Sequence, residues 1–310
     1  MNKPTVTVGI PAYNEEANIE HLLRALVADL SKQVKLVEII VVSDGSTDTT
    51  IKKARSVNDR RIHVIEQKQR SGLVKSQNEI VRHAQGQILV MLDADVIPVE
   101  SDFLDRITYP LRKDKLVGCV GASTIPLPPR NIFERVIANS HYMKQYLYKK
   151  INSGNNVYLC HGRARAFAKK FYQKLSWVEN CPEDSYSYFA CKTQGFKFVY
   201  TSAAGVYFRS PQNLAEHATQ STRFVAGISR LKQLFDPVIV QREFTIPRFL
   251  FIKTLIRYIN RNPFSMPAYL LITLLVRFVY PKSKKYVSRY PVAVSSKRVL
   301  LYKGQKLSRV

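Results

Sequence analysis

Two carboxylates one residue apart, Asp93-Ala94-Asp95, follow the short apolar run Ile88–Leu92. Such a run reads as a strand buried on both faces. Carboxylates at its end would be costly in a dry core. At the exposed lip of a sheet they could share a hard cation, and the cation could hold a phosphate. An isolated pair of this kind more often caps the next helix or turns the chain. Two further polar clusters also follow apolar runs. Pro11-Ala12-Tyr13-Asn14-Glu15 comes after Thr5–Ile10, and Asp44-Gly45-Ser46-Thr47-Asp48 after Val37–Val42. Neither GxGxxG nor GxxxxGK[ST] occurs, so phosphate charge would have to be met by a metal and by Arg or Lys. His161 and His217 each read either as a ligand or as a ring bonded to the backbone.

The elements that must position these groups alternate. Strands are expected at Thr5–Ile10, Val37–Val42, Ile62–Ile65, Ile88–Leu92 and Val117–Gly121. Helices are expected over Glu15–Leu30, after the Asp44–Asp48 turn, and over Gly72–Ala84; in the first, Ile19, Leu22, Leu23, Leu26, Val27 and Leu30 fall at helical spacing. The fold class is therefore α/β, a mostly parallel sheet with flanking helices. Ligands of such sheets bind outside the carboxyl ends of the strands, where strand order reverses. With the order 3-2-1-4 all three polar clusters line one crevice.

From about Pro126 the pattern changes. A helix is expected over Ile132–Lys150, a loop over Asn152–Asn156, and a strand over Val157–Cys160 leading to His161-Gly162. Glu183-Asp184 opens a helix that runs to about Gln194. Short strands follow at Lys197–Thr201 and Gly205–Phe208, then a long helix over Asn213–Phe235. The expected division is 1–210, with halves of about 1–125 and 126–210, an interface helix 211–236, amphipathic and apolar helices 237–280, and a basic tail 281–310.

The 310 residues carry a net charge of +25. Such a balance calls for a polyanionic partner: nucleic acid, an anionic membrane surface or a phosphate-bearing substrate. From Arg242 onward there are fifteen Lys/Arg and the single acid Glu243, an asymmetry that a uniformly basic nucleic-acid binder would not need. Phe249–Ile259 reads as a basic amphipathic helix with Arg248, Lys253 and Arg257. Pro263–Val276 is uncharged but shorter than the ~20 residues of a spanning helix. It reads as an interfacial or re-entrant helix beside anionic headgroups, or as a core helix. Cys119, Cys160, Cys181 and Cys191 form no CxxC or metal-finger spacing and are expected to be reduced and mostly buried. The start, MNKPTVTVGIP, has no signal-peptide core, so the chain is expected to begin on the cytoplasmic side.

In order, PAYNEE at Pro11–Glu16, DGSTD at Asp44–Asp48, DAD at Asp93–Asp95, ED at Glu183-Asp184 and QSTRF at Gln220–Phe224 resemble the signature of family-2 inverting glycosyltransferases of the GT-A fold. The resemblance covers roughly Thr5–Phe235. The last motif is similar to the Q-x-x-R-W element of membrane-associated members, with Phe224 in place of Trp. The resemblance implies a nucleotide-sugar donor, usually UDP-linked, and a divalent cation, Mg2+ or Mn2+, on Asp95 with Asp93 beside it. It implies donor contacts from Pro11, Ala12, Tyr13, Glu15, Asp44, Asp93 and Gln220. Asp184 becomes the general base, Arg223 the group that stabilises the leaving diphosphate, and Gly162, Glu183 and Phe224 acceptor contacts. Relatives often carry a further acid two residues after the base, where this chain has Tyr186. Arg70 and Lys75 lie where relatives often use a basic residue near the donor, although a solvated helix face explains either one.

The expected acceptor is a lipid or lipid-linked glycan at the cytoplasmic membrane face, with the protein peripheral or monotopic. A processive polysaccharide synthase is the alternative within this class, but such enzymes build channels from several spanning helices. A basic nucleic-acid-binding protein would explain the charge but not an acidic crevice, and no RRM or helix-turn-helix signature is present. No nucleic-acid partner is therefore expected. A non-catalytic membrane scaffold would not need the carboxylates.

Overall fold

The computed structural model describes residues 2–280 together with Ser295, Lys297 and Val299. The rest of the expected basic tail lies outside the described residues. The described strands are β1 Thr5–Ala12, β2 Lys35–Ser43, β3 Ile62–Glu66, β4 Ile88–Leu92, β5 Ile97–Pro98, β6 Val117–Pro126, β7 Ala164–Ala168 and β8 Lys197–Phe208. They form one sheet in the order β3-β2-β1-β4-β7-β6-β8-β5. The first four are mutually parallel in the expected order, so their carboxyl ends meet on one side.

The helices are α1 Ile19–Val27, α2 Thr50–Ser56, α3 Leu73–His83, α4 Phe103–Lys113, α5 Ile132–Lys149, α6 Lys169–Tyr172, α7 Glu183–Thr193, α8 Leu214–Leu234, α9 Pro237–Glu243, α10 Arg248–Arg261 and α11 Ser265–Val279. Alternation along the strands splits the core into two layers. Val6, Val8 and Ile10 face α1 and α4, whose Ile19, Leu22, Leu23, Leu26, Phe103 and Ile107 are buried there. Leu89, Met91, Ile40 and Val42 face α3 and α7. Gly9 allows the close approach of α3, because a Cβ there would stand 2.3 Å from Ile80 Cγ2.

Three expectations differ from the fold. Val157–Leu159 is a 3-10 turn, not a strand. Asn156 Nδ2 donates to the Tyr148 and Ile151 carbonyls, both at 2.8 Å, and Tyr158 stacks on Tyr148 with ring centroids 4.3 Å apart. These contacts fold the short apolar run back onto the end of α5. Strand β7 was not expected. It runs antiparallel between β4 and β6, and its Arg165 interrupts the apolar pattern while being fully buried. The two short strands expected around residues 197–208 are one strand whose register on β6 shifts between Ala122 and Ser123.

Helices α10 and α11 are two-sided. Met266 and Tyr269 of α11 pack on Val136, Ile137 and Met143 of α5, with Leu255, Tyr258 and Ile259 of α10 alongside. The opposite faces carry exposed Phe249, Ile252, Ile256, Leu271, Leu274 and Phe278. Among the described residues no helix is long and apolar enough to cross a membrane. The four cysteines are free and buried.

Candidate active site

A cleft of about 450 Å³ opens at the carboxyl ends of β1, β2 and β4. Pro11, Ala12, Tyr13 and Glu15 reach it from the end of β1, Asp44 from β2, and Asp93 and Asp95 from β4. Gly162, Glu183, Asp184, Gln220 and Arg223 line it from the opposite side. Residues from six separate stretches of sequence thus converge.

Hydrogen bonds knit the first two loops together. Asn14 adopts a left-handed conformation with φ 52°, and its Oδ1 accepts from Thr47 N at 2.8 Å. The Asn14 amide in turn donates to Ser46 Oγ at 3.1 Å. Gly45 turns with φ +64°, and a Cβ there would meet Arg70 N at 2.5 Å. Asp44 is buried and accepts from the backbone amides of Ser71 and Gly72 at the start of α3. A carboxylate offers about four acceptor sites, which leaves capacity for one more donor from the cleft. The Arg70 guanidinium stands 4.2 Å above the Tyr13 ring, so Arg70 is a cleft residue, whereas Lys75 pairs with exposed Glu179 at 3.3 Å. Glu15 Oε2 accepts from Asn18 Nδ2 at 2.9 Å, and burial raises the Glu15 pKa.

Asp93 and Asp95 are both pushed up to about 6. Burial is the first cause for each, followed by the charge of Asp95 on Asp93 and of Glu15 on Asp95. The Arg163 charge opposes both shifts, and a backbone hydrogen bond at Asp95 opposes its own, without restoring the ordinary carboxylate value. Paired, partly buried carboxylates that stay raised although Arg163 faces them suit a hard divalent cation. Among the described residues no group of three or more His, Cys, Asp or Glu could cage a metal by itself. A cation here would therefore take further oxygens from ligand and water.

Glu183 and Asp184 occupy the first turn of α7, where the helix N-terminus favours negative charge. Asp184 Oδ1 accepts from Ser185 N at 2.6 Å. Glu183 is raised to about 7, first by burial and then by the Asp184 charge. Its carbonyl accepts from Arg165 Nη1 at 3.0 Å and Trp177 Nε1 at 2.9 Å, which explains the buried arginine on β7. Gly162 leaves room for this pair, since a Cβ there would stand 2.9 Å from Glu183 Oε1. On α8, Glu216, Gln220 and Arg223 fall one and two turns apart, so one helix face meets the cleft. Gly227 lets the same helix dock on Pro182, 2.8 Å from where its Cβ would lie. That contact couples α8 to the start of α7.

Phe224 is not brought to the cleft. It follows Arg223 around the helix, is 48% exposed, and meets Phe244 edge-on at 5.9 Å. His217 also lies off the lining, against Phe133, with its pKa lowered to about 4 by burial. His161 lines the cleft and is pushed down to about 4, first by burial and then by the Arg163 charge. Three lining cations were missed from the sequence: Arg163, Lys297 and Arg209, the last paired with buried Glu134 at 3.0 Å. Arg163 stands 3.9 Å over the Phe208 ring and faces the charges of Asp95, Asp93 and Asp184. Its position directly after Gly162 was the available signal. Lys297 Nζ lies 2.9 Å from Glu15 Oε1.

Residues 7–176 match the model of glycosyl transferase family 2. An uncharacterized glycosyltransferase of Haemophilus influenzae is 30% identical over 123 residues, 39% of this chain and 37% of that protein. The 4,4'-diaponeurosporenoate glycosyltransferase of Staphylococcus aureus is 33% identical over 119 residues, 37% of this chain and 31% of that protein. The chain thus spans about a third of the length of these curated relatives. The mannosyltransferase PcManGT of Pyrobaculum calidifontis, solved with GDP-Man and Mn2+, shares the fold with a TM-score of 0.57 and 20% identity, over 89% of this chain and 76% of that one.

Proposed function

We propose that this chain, which belongs to glycosyl transferase family 2, moves a sugar from a nucleotide-sugar donor to a lipid or lipid-linked glycan, with inversion at the anomeric carbon. The observation that carries this reading is the convergence of Asp44, Asp95, Asp184 and Arg223 on one cleft. Tyr13 and Asp44 take the base, with Pro11, Ala12, Glu15 and Gln220 around the donor. Asp95, with Asp93 beside it, is the pair that would hold Mg2+ or Mn2+, and such a cation neutralises the leaving diphosphate. Asp184 accepts the proton of the acceptor hydroxyl. The acceptor oxygen then forms its bond to the anomeric carbon from the face opposite the breaking C–O bond, and the bonding pair leaves with the nucleoside diphosphate. Arg223 and Arg163 stabilise the charge that develops on that group. Gly162 and Glu183 border the acceptor.

The exposed apolar faces of α10 and α11 support a membrane-side acceptor. Phe264 is 88% and Phe278 79% exposed, and Arg248, Lys253, Arg257, Arg261 and Arg277 lie on the same two helices or adjoin them. Apolar side chains among cations suit the anionic, cytoplasmic face of a membrane, with the protein lying on it. The test is donor turnover on membrane extracts by Asp95→Asn and Asp184→Asn. Loss of turnover in both supports the reading. Full activity in either one removes the role given to that residue.

A further inference from the structure

Lys297 belongs to the C-terminal end of the chain, yet it lines the donor side of the cleft with only 16% of its side chain exposed. Its ammonium lies 2.9 Å from Glu15 Oε1, donates to the Asn14 carbonyl at 2.6 Å, and donates to the Tyr13 carbonyl. Three acceptors use all three N–H donors of a lysine. The ammonium is therefore committed to the protein and not held ready for a phosphate.

Residues on either side fix its placement. Ser295 N donates to Glu216 Oε1 at 3.1 Å, and Gln212 N donates to Ser295 Oγ at 3.2 Å, at the start of α8. Val299 N donates to Asn18 Oδ1 at 3.2 Å, and the buried Val299 side chain packs against Leu127 and Tyr207. Asn18 bonds both the Glu15 carboxylate and the Lys297 carbonyl. Ser295, Lys297 and Val299 thus reach from the start of α8 to the loop that follows β1.

We propose that Lys297 is a positioning residue of the donor pocket, holding the loop Tyr13–Glu15 in the conformation that a nucleoside diphosphate binds. This rests on the reading of the cleft as a nucleotide-sugar site. The loop contains the left-handed Asn14, a conformation that non-glycine residues adopt at a cost. Without the ammonium, the Tyr13 and Asn14 carbonyls lose their donor and the Glu15 carboxylate its counter-charge, which favours other loop conformations. Ligand affinity falls by the fraction of molecules still in the competent one.

The test is calorimetric titration of the full chain with UDP and with GDP in Mn2+, on wild type, Lys297→Met, Lys297→Arg, Glu15→Gln and the Lys297→Met/Glu15→Gln pair. Lys297→Met is expected to weaken binding about tenfold, with the double variant weaker than the worse single by much less than an additive effect. Lys297→Arg should restore most of the loss. In turnover assays KM for the donor rises while kcat at saturating donor holds. Lys297→Gln, which keeps a neutral donor, gives the same comparison if the methionine variant does not fold. Wild-type affinity in Lys297→Met or Lys297→Gln overturns the proposal. Tighter binding overturns it too, because the chain end would then compete with the nucleotide. A wild-type protein that binds neither nucleotide refutes the reading of the cleft, and the role of Lys297 falls with it.

Discussion

Replacing Asp95 by Asn should abolish turnover and yet stabilise the metal-free protein at neutral pH. Asp93 and Asp95 are raised from 3.8 to about 6, burial being the first cause. Between pH 4 and 6 the folded state then holds more protons than the unfolded state. Stability therefore falls as pH rises through that window. Below about pH 4 both states are protonated and the penalty is absent; above about pH 7 it is complete. A shift of about 2 units corresponds to a ceiling of about 3 kcal/mol for one carboxylate. Both groups reach the solvent of the cleft, so about 1–2 kcal/mol is expected from removing one charge. The assay is urea unfolding with a chelator present at pH 7.5 and pH 4.5. Asp95→Asn should be the more stable protein at pH 7.5, with the difference reduced to about a third at pH 4.5. With saturating Mn2+ the order should reverse, since the cation stabilises only a folded state that binds it. Equal or lower stability of metal-free Asp95→Asn at pH 7.5 would refute the placement of two carboxylates whose charge burial and neighbouring acids disfavour.

Nucleotide binding that depends on the cation should weaken about tenfold or more per unit as pH drops below about 6, because the cation must displace protons from Asp93 and Asp95; calorimetry at pH 7.5, 6.5 and 5.5 checks this, and a flat profile contradicts it. Gly162→Ala places a Cβ 2.9 Å from Glu183 Oε1, so kcat should fall about tenfold or more with little change in donor affinity; turnover at wild-type rate would count against the acceptor-side geometry. The pair Phe264→Ser/Phe278→Ser should lower partition onto anionic lipid vesicles roughly tenfold or more while leaving the thermal midpoint near wild type, as both rings are exposed. Co-sedimentation measures it, and unchanged partition would remove α11 from the proposed membrane contact.

The first half was legible because its strands are short apolar runs that end in polar residues. Ile88–Leu92 occupies the expected residues, and β3-β2-β1-β4 follows the expected order. Parallel strands buried on both faces leave little choice of pattern. The second half was less legible because polar groups are buried inside it. Arg165 hides β7, its charge being met by the Glu183 carbonyl and Ser187 from a later helix. Val157–Leu159 is apolar for packing against α5 and α7, not for pairing in the sheet. On α8 the face that meets the cleft follows from helical spacing once Arg223 is placed, and that spacing carries Phe224 outward. Lys297 could not be read at all, because its partners lie at the opposite end of the chain.

The central claim is that Asp95 and its neighbours form a cation-dependent nucleotide-sugar site. Calorimetric titration of the full chain with UDP- and GDP-sugars, with Mn2+ or Mg2+ and again with a chelator, tests it most directly. Saturable binding of one nucleotide class is expected only when the cation is present, and it should be lost in Asp95→Asn. Absence of binding under every condition, or cation-independent binding that Asp95→Asn retains, would contradict it.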